Sequence, residues 1–165
     1  MNTCSTLLSF VALCAVTLAA PVQAADIFMT RHFEKQANVQ DPGLTPTGQQ
    51  RAIQLATLLS DKELVRVYAT DYRRTQQTAS PTADSQGLAV TSYDPMNPTA
   101  LLDSLKDIEG AVLIVGHSNT VPPLIERLTG QRIEIGESDY GTLYRVSEQQ
   151  GQRQLTMQEV SVATP

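Results

Sequence analysis

The 165-residue sequence has only two cysteines, Cys4 and Cys14, and both lie close to its amino terminus. The folded part of the chain is therefore expected to carry no thiol, which excludes a disulfide framework, a thiolate nucleophile and a cysteine metal site. Positive charge is also scarce: a formal net charge of -5 argues against broad nucleic-acid binding and gives weight to any local basic cluster. Internal repeats, low-complexity tracts and interdomain linkers are missing. The longest apolar stretch, Leu7 to Ala20, is too short to cross a bilayer comfortably. Imidazole is scarcer still, since His32 and His117 are the only two histidines.

The amino-terminal stretch is uncharged, and its apolar core leads into Pro21-Val22-Gln23-Ala24-Ala25, whose small residues suit a signal peptidase. Residues 1–24 are expected to be a signal peptide cut after Ala24, and residues 25–165 a single domain in the periplasm or outside the cell, with no stable membrane insertion after cleavage. Met1 to Thr6 lack Lys and Arg, so an uncleaved amino-terminal anchor is the alternative. Removal of the leader would leave 141 residues, enough for a substantial core.

Beyond Ala25 the hydrophobic pattern alternates strand-like and helix-like, which predicts an α/β domain. Strands are expected at Asp26 to Met29, Leu64 to Ala69, Leu88 to Tyr93 and Ala111 to Val115. The last is an unbroken apolar run suited to a strand buried on both faces. Thr45 as N-cap and Pro46 at the first helical position open a helix carrying Ala52, Leu55, Ala56 and Leu59 on one side. Further helices are expected from Arg73 to a stop near Pro81, from Thr99 to Ile108, and from Val121 to Leu128. Gly141 to Val146 and Gln154 to Val160, around Gln149-Gln150-Gly151, read as a closing hairpin.

Each histidine falls where a strand gives way to a polar turn, at Arg31-His32 and at Gly116-His117-Ser118-Asn119. Ligand crevices in open α/β sheets lie at such strand ends, so these distant residues can meet over one substrate. Arg31 and the pair Arg73-Arg74 also follow strands, and guanidinium forks bind phosphoryl oxygens well. Only one of the pair can face the crevice, and Arg74 shares a polar helical face with Thr78. A neutral imidazole can attack phosphorus, while a protonated carboxyl group would have to supply the leaving group with its proton.

Arg31-His32, then Leu44-Thr45-Pro46-Thr47-Gly48-Gln49-Gln50-Arg51-Ala52, Thr70 to Ala79 with Arg74-Thr75 and Thr78, and Val115-Gly116-His117-Ser118 form three ordered blocks. They resemble the motifs of the histidine phosphatase (phosphoglycerate mutase-like) superfamily. The resemblance implies a three-layer α/β sandwich with a mainly parallel central sheet. It makes His32 the phosphorus-accepting nucleophile, with Arg31, Arg74 and His117 as the phosphate pocket, and implies no metal or other cofactor. Phe33 stands where the family usually has Gly, and puts a side chain near the expected mouth. With Glu34-Lys35, the extended segment to Pro122, and Asp139-Tyr140 with Leu143-Tyr144, it is similar to the small secreted or periplasmic members. The acid is expected to be Asp94, since larger relatives place theirs before the second histidine, then Glu34, then Asp139. The substrate is expected to be a small phosphomonoester, phosphohistidine or a phosphorylated envelope component.

Three other readings compete. His32, Glu34 and His117 could hold a divalent metal, although the spacing fits no metal motif and Arg31 would oppose the ion. Gly116 to Thr120 is not the Gly-x-Ser-x-Gly of a serine hydrolase, and no further histidine remains to act as base. A phosphatase fold that binds anions without turnover would carry the same pocket.

Overall fold

The structure, a computed structural model, describes residues 26–162. The proposed leader, with Cys4 and Cys14, lies outside the described residues. Chain order is β1 (Ile27–Arg31), α1 (Pro46–Leu58), β2 (Leu64–Thr70), α2 (Arg73–Ser85), β3 (Val90–Tyr93), α3 (Pro98–Leu105), β4 (Ala111–Gly116), α4 (Val121–Thr129), β5 (Thr142–Gln149) and β6 (Gln152–Glu159). The strands form one mixed sheet in the order β3-β2-β4-β1-β5-β6. The first four are parallel, and the hairpin adds two antiparallel strands beside β1.

Strand alternation sends side chains to two cores. Phe28, Val67, Ala69, Leu113 and Val115 pack with Ala52 and Leu55 of α1, Leu59 just beyond it, and Ala79 and Ala83 of α2. On the opposite face Ile27, Met29, Tyr68, Val112 and Ile114 pack with Leu101 of α3 and Val121, Leu124 and Ile125 of α4. The apolar run of β4 is thus buried from both sides, and the fold is the three-layer sandwich.

Three local differences from the sequence expectations have physical causes. Strand β1 extends beyond Met29 because β4 continues to pair with it, Thr30 opposite Val115 and Arg31 opposite Gly116. Helix α2 runs through Pro81 rather than stopping there. Its buried stripe of Thr75, Thr78, Ala79, Thr82 and Ala83 continues past the proline, so packing against the sheet outweighs the one backbone bond that proline removes. Phe33 turns inward, fully buried among Leu44, Ala52 and Leu55, and leaves the mouth clear.

The start of α1 shows why Gly48 stands in its motif. Thr45 caps the helix by accepting from the Gly48 N-H at 3.2 Å, and its own N-H donates to the Glu34 carbonyl at 2.8 Å. This pulls the helix onto the backbone that follows β1, and a Cβ on Gly48 would collide with the Glu34 carbonyl oxygen. Gly48→Ala is expected to destabilise the domain by about 1–3 kcal/mol despite alanine's better helix propensity, because backbone must move. Urea unfolding measures it; an unchanged midpoint would show that the approach is not constrained.

Candidate active site

Strands β1 and β4 are parallel neighbours, so their carboxyl ends lie side by side, and the His32 N-H donates to the Gly116 carbonyl at 2.9 Å. This adjacency brings the two histidines together, with ring centroids 5.4 Å apart in an edge-on arrangement. Gly116 allows the approach, since a Cβ there would lie 2.6 Å from Thr120 Oγ1 and 2.7 Å from the Tyr93 hydroxyl. Thr120 in turn accepts from the His117 N-H at 2.8 Å and fixes the turn into α4.

The hydrogen bonds define the state of each ring. His32 Nδ1 lies 2.8 Å from the Phe33 carbonyl, which can only accept, so Nδ1 carries the proton and Nε2 keeps a lone pair. His117 Nε2 lies 2.9 Å from Thr70 Oγ1. The Thr70 hydroxyl donates to Thr75 Oγ1, and Thr75 donates onward to the backbone carbonyl of Thr70 or Tyr72. That chain ends on acceptors, so His117 Nε2 must donate and Nδ1 is the free lone pair, facing Arg74 Nη2 at 3.5 Å.

Burial and the neighbouring cations keep both rings neutral. Desolvation, then Arg31, His117 and Arg74, lower the His32 pKa to about 3 against the opposing hydrogen bond to Phe33. Desolvation, then Arg74 and Arg31, lower that of His117 to about 4. Free imidazole titrates near 6.5. The folded state therefore binds fewer protons than the unfolded chain below that value, and the stability present above pH 6.5 should be lost as pH falls toward 4. With only two histidines, imidazole NMR signals give a direct check: neither should titrate between pH 7.5 and 5, and a midpoint near 6.5 would contradict the desolvated, cation-flanked site.

Around the rings lies a cavity of about 380 Å³ lined by Arg31, His32, Lys35, Tyr72, Arg74 and His117, together with Pro95, Met96, Ser118 to Thr120 and Glu137. Arg31 is 3% exposed, lies 4.5 Å from the Tyr140 ring centroid, and donates to the Gly136 carbonyl at 2.5 Å and to Glu137 Oε2 at 3.1 Å. Arg74 lies against the Tyr72 ring and reaches Asp41 at 3.8 Å. The Nε atoms of Arg31 and Arg74 are buried and have no partner among the described residues, a cost an incoming anion would relieve. Thr78 secures the frame: its hydroxyl donates to the Arg74 carbonyl at 2.8 Å and accepts from the Phe33 N-H at 3.1 Å. Exposed Arg73 does not line the cavity.

The expected acids are all engaged elsewhere. Exposed Asp94 folds back on its own turn, Oδ1 accepting from the Met96 N-H at 2.8 Å, and it does not line the cavity. Glu34 is held by Arg51 in a two-pronged pair, the closest contact 2.7 Å. Asp139 accepts from the Gly136 N-H at 2.9 Å and shapes the loop that holds Arg31. Glu137 is the carboxylate the sequence reading passed over. It lies in the loop before β5, two residues ahead of Asp139, and reaches the site because β5 is the other neighbour of β1.

Residues 27–97 match the model of the histidine phosphatase superfamily (branch 1), a segment that includes Arg31, His32 and Arg74 but ends before His117. No curated protein matches the sequence. Among solved structures, a putative alpha-ribazole-5′-P phosphatase from Escherichia coli is similar at 17% identity and TM-score 0.70, over 86% of this chain and 100% of that one. The protein histidine phosphatase SixA complexed with tungstate is similar at 18% identity and TM-score 0.66, over 82% and 97%. A phosphoglycerate mutase from Bacillus anthracis gives 18% identity and TM-score 0.63, over 82% and 92%. Over the segment that carries the Arg-His pair the chain is thus similar to the histidine phosphatase superfamily, and along most of its length it shares the fold of these solved structures.

Proposed function

We propose that this protein is a metal-independent phosphatase that hydrolyses small phosphomonoesters through a phosphohistidine on His32. The observation that carries the reading is the uncharged His32 ring, its Nδ1 proton held by the Phe33 carbonyl, in a cavity whose walls bear Arg31, Arg74 and His117. A nucleophilic nitrogen and fixed positive charge around one space are what phosphoryl transfer requires. Nε2 attacks phosphorus, the P-O bond to the leaving group breaks, and water then cleaves the P-N bond to release phosphate and restore neutral His32. Arg31 and Arg74 carry the charge on the phosphoryl oxygens. His117 can donate to one of them only after taking a proton on Nδ1, so anion binding and its protonation are coupled.

The superfamily match and the phosphatases among the structural neighbours support this activity. If the leader acts as proposed, the enzyme works in the periplasm or outside the cell on small organic phosphates or phosphorylated envelope components. Phosphohistidine, the substrate class of a protein histidine phosphatase such as SixA, is a second candidate because its leaving imidazole has less need of an acid. The purified domain should release phosphate from an aryl phosphate equally well with and without chelator. Loss of turnover with chelator would support the metal reading, and phosphate binding without turnover would support an anion-binding protein on the same fold.

A further inference from the structure

Hydrolysis of an alkyl phosphate requires a proton for the leaving oxygen, and the geometry points to Glu137 as its source. This rests on the hydrolytic reading above. In phosphoryl transfer the attacking and departing atoms lie roughly in line through phosphorus. His32 is 2% exposed at the base of the cavity, so the leaving group must depart toward the mouth. Glu137 stands there, its side chain 83% exposed, and among the described residues it is the only carboxylate lining the cavity.

The contacts of Glu137 link its proton to the presence of substrate. Oε2 is paired with Arg31 Nη2 at 3.1 Å, and Oε1 accepts from the Ser118 hydroxyl at 2.6 Å. These bonds, Ser118 first and Arg31 next, together with the nearby His32 and Lys35, hold the carboxyl below its ordinary range. A phosphoryl group bound at Arg31 takes over that guanidinium and sets negative charge beside the carboxylate, and both changes favour its protonated form. The substrate can bring the proton itself, because the second ionisation of a phosphate monoester lies near pH 6. The monoanion passes its proton to Glu137. As Nε2 forms the P-N bond and the P-O bond breaks, Glu137 gives that proton to the departing alkoxide. The resulting carboxylate then accepts a proton from the water that cleaves the P-N bond.

Glu137→Gln tests this through leaving groups. It should cut kcat about 10²-fold or more on an alkyl phosphate such as glycerol phosphate and less than about fivefold on 4-nitrophenyl phosphate, whose leaving group needs no proton. Inorganic phosphate should bind the variant at least as well as the wild type, since the competitor for Arg31 is gone, and this reports an intact pocket. Equal losses on both esters would make Glu137 a positioning residue for Arg31 and overturn the proposal, as would no loss on either. A wild-type protein that hydrolyses neither ester would overturn the phosphatase reading itself.

Discussion

Replacing His32 with alanine should reduce turnover of an aryl phosphate by about 10⁴-fold or more, while inorganic phosphate still binds. The size of the effect follows from the role, because a missing nucleophile removes the covalent route altogether and no second base stands ready. His117 cannot substitute: its Nε2 proton is committed to Thr70, and its free Nδ1 faces the guanidinium of Arg74. The cations proposed to bind phosphate do not depend on the imidazole, since Arg31 is held by Gly136 and Glu137 and Arg74 by α2. A His32→Ala protein with near-normal kcat would mean that the nucleophile is elsewhere.

Arg74→Ala should lower kcat about 10²- to 10³-fold, or about 2.7–4 kcal/mol, with a smaller effect on phosphate affinity. Negative charge on the phosphoryl oxygens must be held throughout bond exchange, and a fixed guanidinium does so without reorganising. Arg74 also lies against His117 and is one of the cations that keep both rings neutral, so its loss should move both imidazole pKa values upward toward 6.5. Arg73→Ala is the control, because that side chain lies outside the cavity and should leave turnover near normal. Steady-state kinetics of the two variants decide it, and a reversed ranking would mean that Arg73 is the phosphate ligand.

Both the legible parts of this site and the missed ones have structural causes. A β-branched run such as Ala111 to Val115 can satisfy its apolar side chains only between two layers, so it revealed the central strand and located His117 at its end. The cap of α1 was readable because Thr45, Pro46 and Gly48 act within a few residues of one another. Sheet order was not local in this sense. Glu137 reaches the pocket only because β5 returns to lie beside β1, a pairing across more than a hundred residues that no spacing encodes. Asp94 is the opposite case: its segment lies near the site, with Pro95 and Met96 lining the cavity, but its carboxylate caps its own turn. The position of Phe33 predicts a side chain near the mouth, yet a residue just beyond a strand can face either way, and its large ring packs in the core.

The central claim is a covalent phosphoryl group on His32, and rapid acid-free quenching with ³²P-labelled aryl phosphate, followed by digestion and peptide mapping, tests it most directly. The expected result is acid-labile, alkali-stable label on the peptide containing His32, present with chelator and absent from the His32→Ala variant. Steady turnover with no label on that peptide under conditions that trap a phosphoenzyme, or label that persists in His32→Ala, would contradict it.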